Sequence, residues 1–129
     1  MNFKIDTKEK FTEILLSEPV ITAIMTDKID KMLSECIEKP EKNLVLSLKG
    51  VAEIDNNVGI QLLDWQTRFY DRRQSFVLCE LSPAIEAAWD EDGLLEQLNV
   101  TPTLSEAWDI VQMEEVEREL FDDLDEEVE

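Results

Sequence analysis

A chain of 129 residues is enough for one domain with a single buried core. An apolar fraction of 43% marks a folded protein even though 33% of the residues are charged. The formal net charge of −19 argues against nucleic acid and against anionic membrane surfaces, both of which are bound through Lys and Arg, and favours a partner presenting a basic patch.

The N-terminus, Met1-Asn2-Phe3-Lys4-Ile5-Asp6, alternates apolar and polar residues and lacks the apolar stretch of a signal peptide. No apolar run approaches the roughly 20 residues that span a bilayer, so a cytoplasmic protein without membrane insertion is expected. Residues 3–6 and 11–16 read as the two strands of a hairpin around Lys8, Glu9 and Lys10. Ser17, Glu18 and Pro19 break that pattern. Ile29, Met32, Leu33, Cys36 and Ile37 then recur at three- and four-residue spacing, which predicts an amphipathic helix over 26–38. Pro40 forbids its continuation, because it has no amide donor and restricts Lys39 before it.

Residues 44–48 are apolar at nearly every position, as in a central strand covered on both faces. From Asn57 the period becomes helical. Val58, Leu62, Trp65 and Phe69 form one stripe, with Gly59, Leu63 and Tyr70 beside it, while Gln61, Asp64, Gln66, Arg68 and Asp71 form a solvated face. Phe76–Cys79 is a second buried strand, and Pro83 in a first helical turn opens a short helix through Ile85, Ala88 and Trp89 that Gly93 ends. A short strand over 98–100 precedes a last helix, which Thr103 and Glu106 open as a capping box. Trp65, Trp89 and Trp108 fall in helix patterns as packing residues, and Cys36 and Cys79 sit in apolar patterns as buried, reduced thiols. This order gives an α/β domain with a mixed sheet of about four to five strands and about four helices, the first crossover helices covering one sheet face.

The turn at residues 55–59 joins a strand to a helix. Asp55, Asn56 and Asn57 are all good cap residues, since their side-chain oxygens accept the free amides of a helix N-terminus. Two readings stay open: a well-capped helix and nothing more, or an exposed recognition surface at a helix end where an added phosphate would be tolerated.

Taken together, the strand at 44–48, the turn Ile54-Asp55-Asn56-Asn57-Val58-Gly59, the amphipathic segment, the strand Phe76–Cys79 and the loop Leu81-Ser82-Pro83-Ala84 resemble the STAS domain. That is the fold of bacterial anti-sigma-factor antagonists and of transporter-associated regulatory modules. The family's turn usually reads Asp-Ser-Ser-Gly or Asp-Ser-Thr-Gly, with the first Ser phosphorylated by a partner kinase. The resemblance matches Asp55 to the family's Asp, Asn56 to the phosphoacceptor and Asn57 to the following Ser or Thr. Val58 stands in place of the usual Gly and Gly59 one position later, which implies a slightly different turn. Ser82 and Pro83 match the loop that lies beside the turn. The resemblance therefore implies a protein partner, an ATP-binding anti-sigma kinase-like protein engaged through these residues, with the phosphoryl switch missing because Asn56 has no hydroxyl. It also admits an alternative, a stand-alone STAS regulatory subunit of a membrane lipid-transport ABC complex.

Residues 114–129 hold ten acidic residues and one Arg. Met113, Val116, Leu120, Leu124 and Val128 nevertheless recur mostly every four residues, a narrow apolar seam among carboxylates. This divides the chain into a domain over 1–112 and an acidic helical extension over 113–129. The extension reads either as a helix packing partly on the domain or as a partner-docking or dimerising helix built on Val116, Leu120 and Leu124. The chain has no His, and Glu114, Glu115, Asp122 and Asp123 lack the Gly turn of a calcium loop, so no metal is expected. With no nucleophile–base pair and no phosphate-binding loop, neither cofactor nor catalysis is expected, and the function read from the chain is protein–protein interaction.

Overall fold

The computed structural model describes residues 2–39 and 43–128, with side chains as far as Asp122; Pro40, the expected helix stop, lies outside the described residues. The opening alternation folds into an antiparallel hairpin, β1 (Phe3–Thr7) and β2 (Phe11–Leu16), in which Phe3 faces Leu16. β2 then pairs in parallel with β4 (Asn43–Ser47), β4 with β6 (Phe76–Cys79), and β6 with β7 (Val100–Thr101). The sheet order is β1-β2-β4-β6-β7, a parallel sheet with one antiparallel edge. Parallel neighbours require long crossovers, and these are α1 (Thr26–Ile37), α2 (Asn56–Asp71) and α3 (Pro83–Glu91); α4 (Leu104–Val128) follows the last strand.

The two-residue period of the strands sorts the core into two layers. Ile14, Leu16, Leu44, Leu46, Phe76 and Leu78 point one way and pack with Ile29, Leu33, Leu62, Phe69 and Trp89 of the three crossover helices. Phe11, Val45, Val77 and Cys79 point the other way, onto Ala107 and Val111 of α4. Every residue of β4 and β6 is buried, because helices cover both faces there. The mixed sheet, the helix count and the crossover helices on one face are as the sequence predicts.

Three details differ from expectation. Two short strands, β3 (Val20–Ile21) and β5 (Glu53–Ile54), form a separate parallel pair that the sequence did not reveal, each being too short to show a period. The last sheet strand is Val100–Thr101 rather than 98–100, since Leu98 turns into the core after α3. Gln66, assigned to the solvated face of α2, is buried. Its Nε2 donates to Gln97 O at 2.9 Å and its Oε1 accepts from Asn99 N at 2.8 Å. The loop after α3 lies against α2 with backbone groups that need partners, and one amide side chain satisfies a donor and an acceptor at once.

Candidate partner-binding site

Asp55 closes the short connection from β5 to α2. Its backbone is extended (φ −63°, ψ 137°) and its Oδ1 accepts from Asn57 N at 2.8 Å, while its carbonyl accepts from Val58 N. Such a cap is worth about 1 kcal/mol. Asp55 N donates to Ile21 O at 2.9 Å, which binds the turn to the end of β3. Asn56 opens α2 exposed to solvent, and its Nδ2 donates to Asp92 Oδ2, 2.6 Å away at the C-terminal end of α3. Position 56 thus holds a neutral amide donor against a carboxylate.

Val58 and Gly59 show what became of the displaced glycine. Val58 is fully buried inside the first turn of α2, and the left-handed backbone among described non-glycine residues occurs at Arg73 and Glu80, not here. Helix α2 begins regularly at Asn56 with Val58 in place. Gly59 matters through the atom it lacks: a Cβ there would stand 2.6 Å from Leu94 Cδ2 and 2.9 Å from Trp89 Nε1. The missing side chain lets α3 and the turn after it close onto α2.

Ser82 and Pro83 open α3 against Ala52, in the segment that precedes this turn. Ser82 caps α3 by accepting from Ile85 N at 3.3 Å, and its Oγ donates to Ala52 O at 2.8 Å. Pro83 follows in the first turn of α3, where its missing amide costs nothing. Helix α3 therefore runs alongside the segment that leads into α2, its first turn tied at Ala52 and its last at Asn56. The structure puts Asp55, Asn56 and Asn57 together at the head of α2 over the buried Val58 and Gly59; Ser82 and Pro83 sit at the far end of α3 from the Asn56–Asp92 contact and join the segment before the turn through Ala52.

Sequence reasoning missed the apolar rim of this surface. Ile24, 89% exposed, sits in the short 3-10 turn Ala23–Met25 that follows β3, and Ile60, 59% exposed, stands on the outer side of α2. The two segments meet where Gln61 Nε2 donates to Thr26 O at 2.8 Å. Ile60 carried a signal that could have been read, since it falls out of phase with the buried stripe and among polar neighbours. Ile24 lies in a stretch without a period.

The expected docking residues of the acidic helix lie elsewhere. Val116 and Leu120 are exposed on α4, which covers the sheet face opposite α2, and the side chain of Leu124 lies outside the described residues.

The STAS domain family matches residues 2–107, a span that includes the turn, Ser82 and Pro83 and ends in the first turn of α4. None of the curated proteins matches the chain. A STAS-domain anti-sigma-factor antagonist from Planctomyces limnophilus is similar at 16% identity, over 81% of this chain and 93% of that one, with a TM-score of 0.71. The Bacillus cell fate determinant SpoIIAA in its phosphorylated form is similar at 17% identity, over 85% and 99%, with a TM-score of 0.61. The murine Solute Carrier 26 family member A9 anion transporter is similar at 14% identity, over 84% of this chain but 18% of the transporter, with a TM-score of 0.67.

Proposed function

This chain belongs to the STAS domain family, and from that premise we propose that it is a non-catalytic protein-interaction module of the anti-sigma-factor-antagonist kind, working in the bacterial cytoplasm and freed from phosphoryl control. One observation carries the reading. At the position that the resemblance gives to the phosphoacceptor stands Asn56, exposed at the N-terminus of α2 and hydrogen-bonded to Asp92. A phosphoryl group at this position in relatives would add nearly two negative charges to a binding surface. Asn56 cannot accept one, and its amide keeps the surface in the uncharged form. The partner is an ATP-binding anti-sigma kinase-like protein, held by Asp55, Asn56 and Asn57, by the Ser82-Pro83 loop and by the apolar anchors Ile24 and Ile60. No nucleic acid and no cofactor take part.

A second reading follows from the family's transporter-associated members, a setting in which this fold also occurs as part of an anion transporter. In it the chain is a stand-alone regulatory subunit of a membrane lipid-transport ABC complex and uses the same surface. No helix among the described residues is long and apolar enough to cross a membrane, so attachment would run through a transporter subunit.

The experiment is affinity purification of the full-length protein from soluble and membrane fractions, beside the Asn56→Asp and Ile60→Asp variants, with the bound proteins identified by mass spectrometry. A soluble kinase-like ATPase that both substitutions release supports the first reading. Its incubation with labelled ATP should leave the native protein unlabelled and label Asn56→Ser. Transporter subunits recovered from the membrane fraction select the second reading. A partner retained by both variants rules the turn out as its interface.

A further inference from the structure

A helix laid on a sheet ordinarily turns its apolar side inward and its polar side to water. The C-terminal part of α4 does the reverse. At about 100° per residue, Ala107, Val111, Glu114, Glu115, Arg118 and Asp122 share the side that meets the domain. Beyond Val111 that side is held to the domain by polar side chains, with Phe121 at its edge in a pocket beside Tyr70, Arg73, Glu114 and Arg118. Tyr70 Oη donates to Glu114 at 2.7 Å, and Arg73 donates to Asp122 at 2.7 Å. Arg118 donates to Asn43 Oδ1 at 3.1 Å, to Ser75 Oγ at 3.0 Å and to Glu115 at 3.0 Å. Met113, Val116 and Leu120 fall on the opposite side, spaced three and four apart and 55%, 53% and 57% exposed. Glu117 and Glu119, both exposed, flank them.

We propose that this outward face of α4 is a docking surface for a cationic amphipathic helix of a protein partner. Apolar residues of that helix would seat on Met113, Val116 and Leu120, and its Lys or Arg residues would meet Glu117 and Glu119. Spacing of three and four is the pattern by which one helix receives another. Charge selects the occupant. Residues 114–129 hold ten carboxylates against one Arg, and that Arg is engaged by Asn43, Ser75 and Glu115. A second copy would bring like-charged rims together, and an anionic membrane would be repelled. The family match ends at residue 107, before this face begins, so the surface is an addition beyond the matched domain. It stands on the far side of the sheet from the turn and does not rest on the reading of that site.

The test uses the full-length protein and two fluorescent peptides of identical Leu and Lys content. One has its leucines at three- and four-residue spacing and the other has them scattered out of helical register, and fluorescence anisotropy reads the binding. The periodic peptide should bind more tightly, and the Val116→Ser/Leu120→Ser double variant should lose more than about tenfold of that affinity while keeping its thermal midpoint, since both side chains are exposed. Asn56→Asp should leave peptide binding unchanged. Equal binding of the two peptides would show attraction by charge alone and overturn the proposal, as would a double variant that binds like the native protein. A dimer seen in sedimentation and abolished by the double variant would name a second copy as the occupant and overturn it too.

Discussion

At the start of α2 the smallest side chain and its neighbour divide two tasks. Val58 fills the core, while Gly59 leaves the room into which Leu94 and Trp89 close. Gly59→Ala would force its new methyl into those atoms, and since Leu94 presents the end of a flexible side chain but Trp89 a buried indole, the indole must move. The expected cost is about 1–3 kcal/mol of overpacking, read as a lower urea midpoint, together with a looser seat for Asn56 against Asp92. Affinity for a partner bound at the turn should fall with it. The chain itself disclosed that a glycine stood near the turn, but not what it was for. Its φ is unremarkable, and the reason for it sits some 30 residues away on α3. Gln66 was misread for the same kind of reason: helical phase put it beside charged residues, while the loop bearing Gln97 and Asn99 came down over it from a distant part of the chain.

Between elements, Asn43 is the clasp that holds α4 to the sheet. Buried at the start of β4, its Nδ2 donates to Lys10 O at 2.9 Å and Glu115 Oε1 at 2.8 Å, and its Oδ1 accepts from Ser75 N at 2.7 Å and from Arg118. Asn43→Ala would leave the buried Ser75 amide without that acceptor and Arg118 without one of its partners. The expected loss is about 2–4 kcal/mol in chemical denaturation, with faster amide exchange over residues 108–120 than elsewhere. Asn43→Asp keeps the acceptor but turns a carboxylate oxygen onto Lys10 O and Glu115, so it should not recover the loss. The apolar period of the acidic segment was legible from the sequence, and so was its helix. Which side of that helix meets the domain was not, because Asn43, Tyr70 and Arg73 supply a polar seat that only the folded sheet assembles. β3 and β5 escaped for a simpler reason, since two residues cannot display a period.

Across the whole molecule charge is unevenly placed: all eight lysines lie within the first 49 residues, and residues 51–129 carry 22 acidic residues against four arginines. Apart from Ile24, both candidate interfaces belong to that acidic part, so the association rate of a basic partner should fall steeply as salt is raised, which stopped-flow mixing would measure. The core responds to the opposite end of the pH scale. Burial pushes the Cys79 thiol up to about 12 and raises Cys36, and burial together with the neighbouring Glu114 carboxylate raises the Tyr70 hydroxyl. In the unfolded chain cysteines ionise near pH ~8.5 and tyrosine near pH ~10. Above about pH 8.5 the unfolded state therefore holds fewer protons than the folded one, and stability must decline as pH rises. The slope approaches about 1.4 kcal/mol per pH unit for each group ionised only in the unfolded chain, and it persists for Cys79 until its folded thiol ionises near 12. Urea midpoints should hold steady through neutral pH and fall between pH ~9 and ~11. Cys79→Ala should flatten that fall in proportion to the one group removed, because the alanine has nothing to titrate; an unchanged slope in the variant would mean that the Cys79 thiol is not what burial protects.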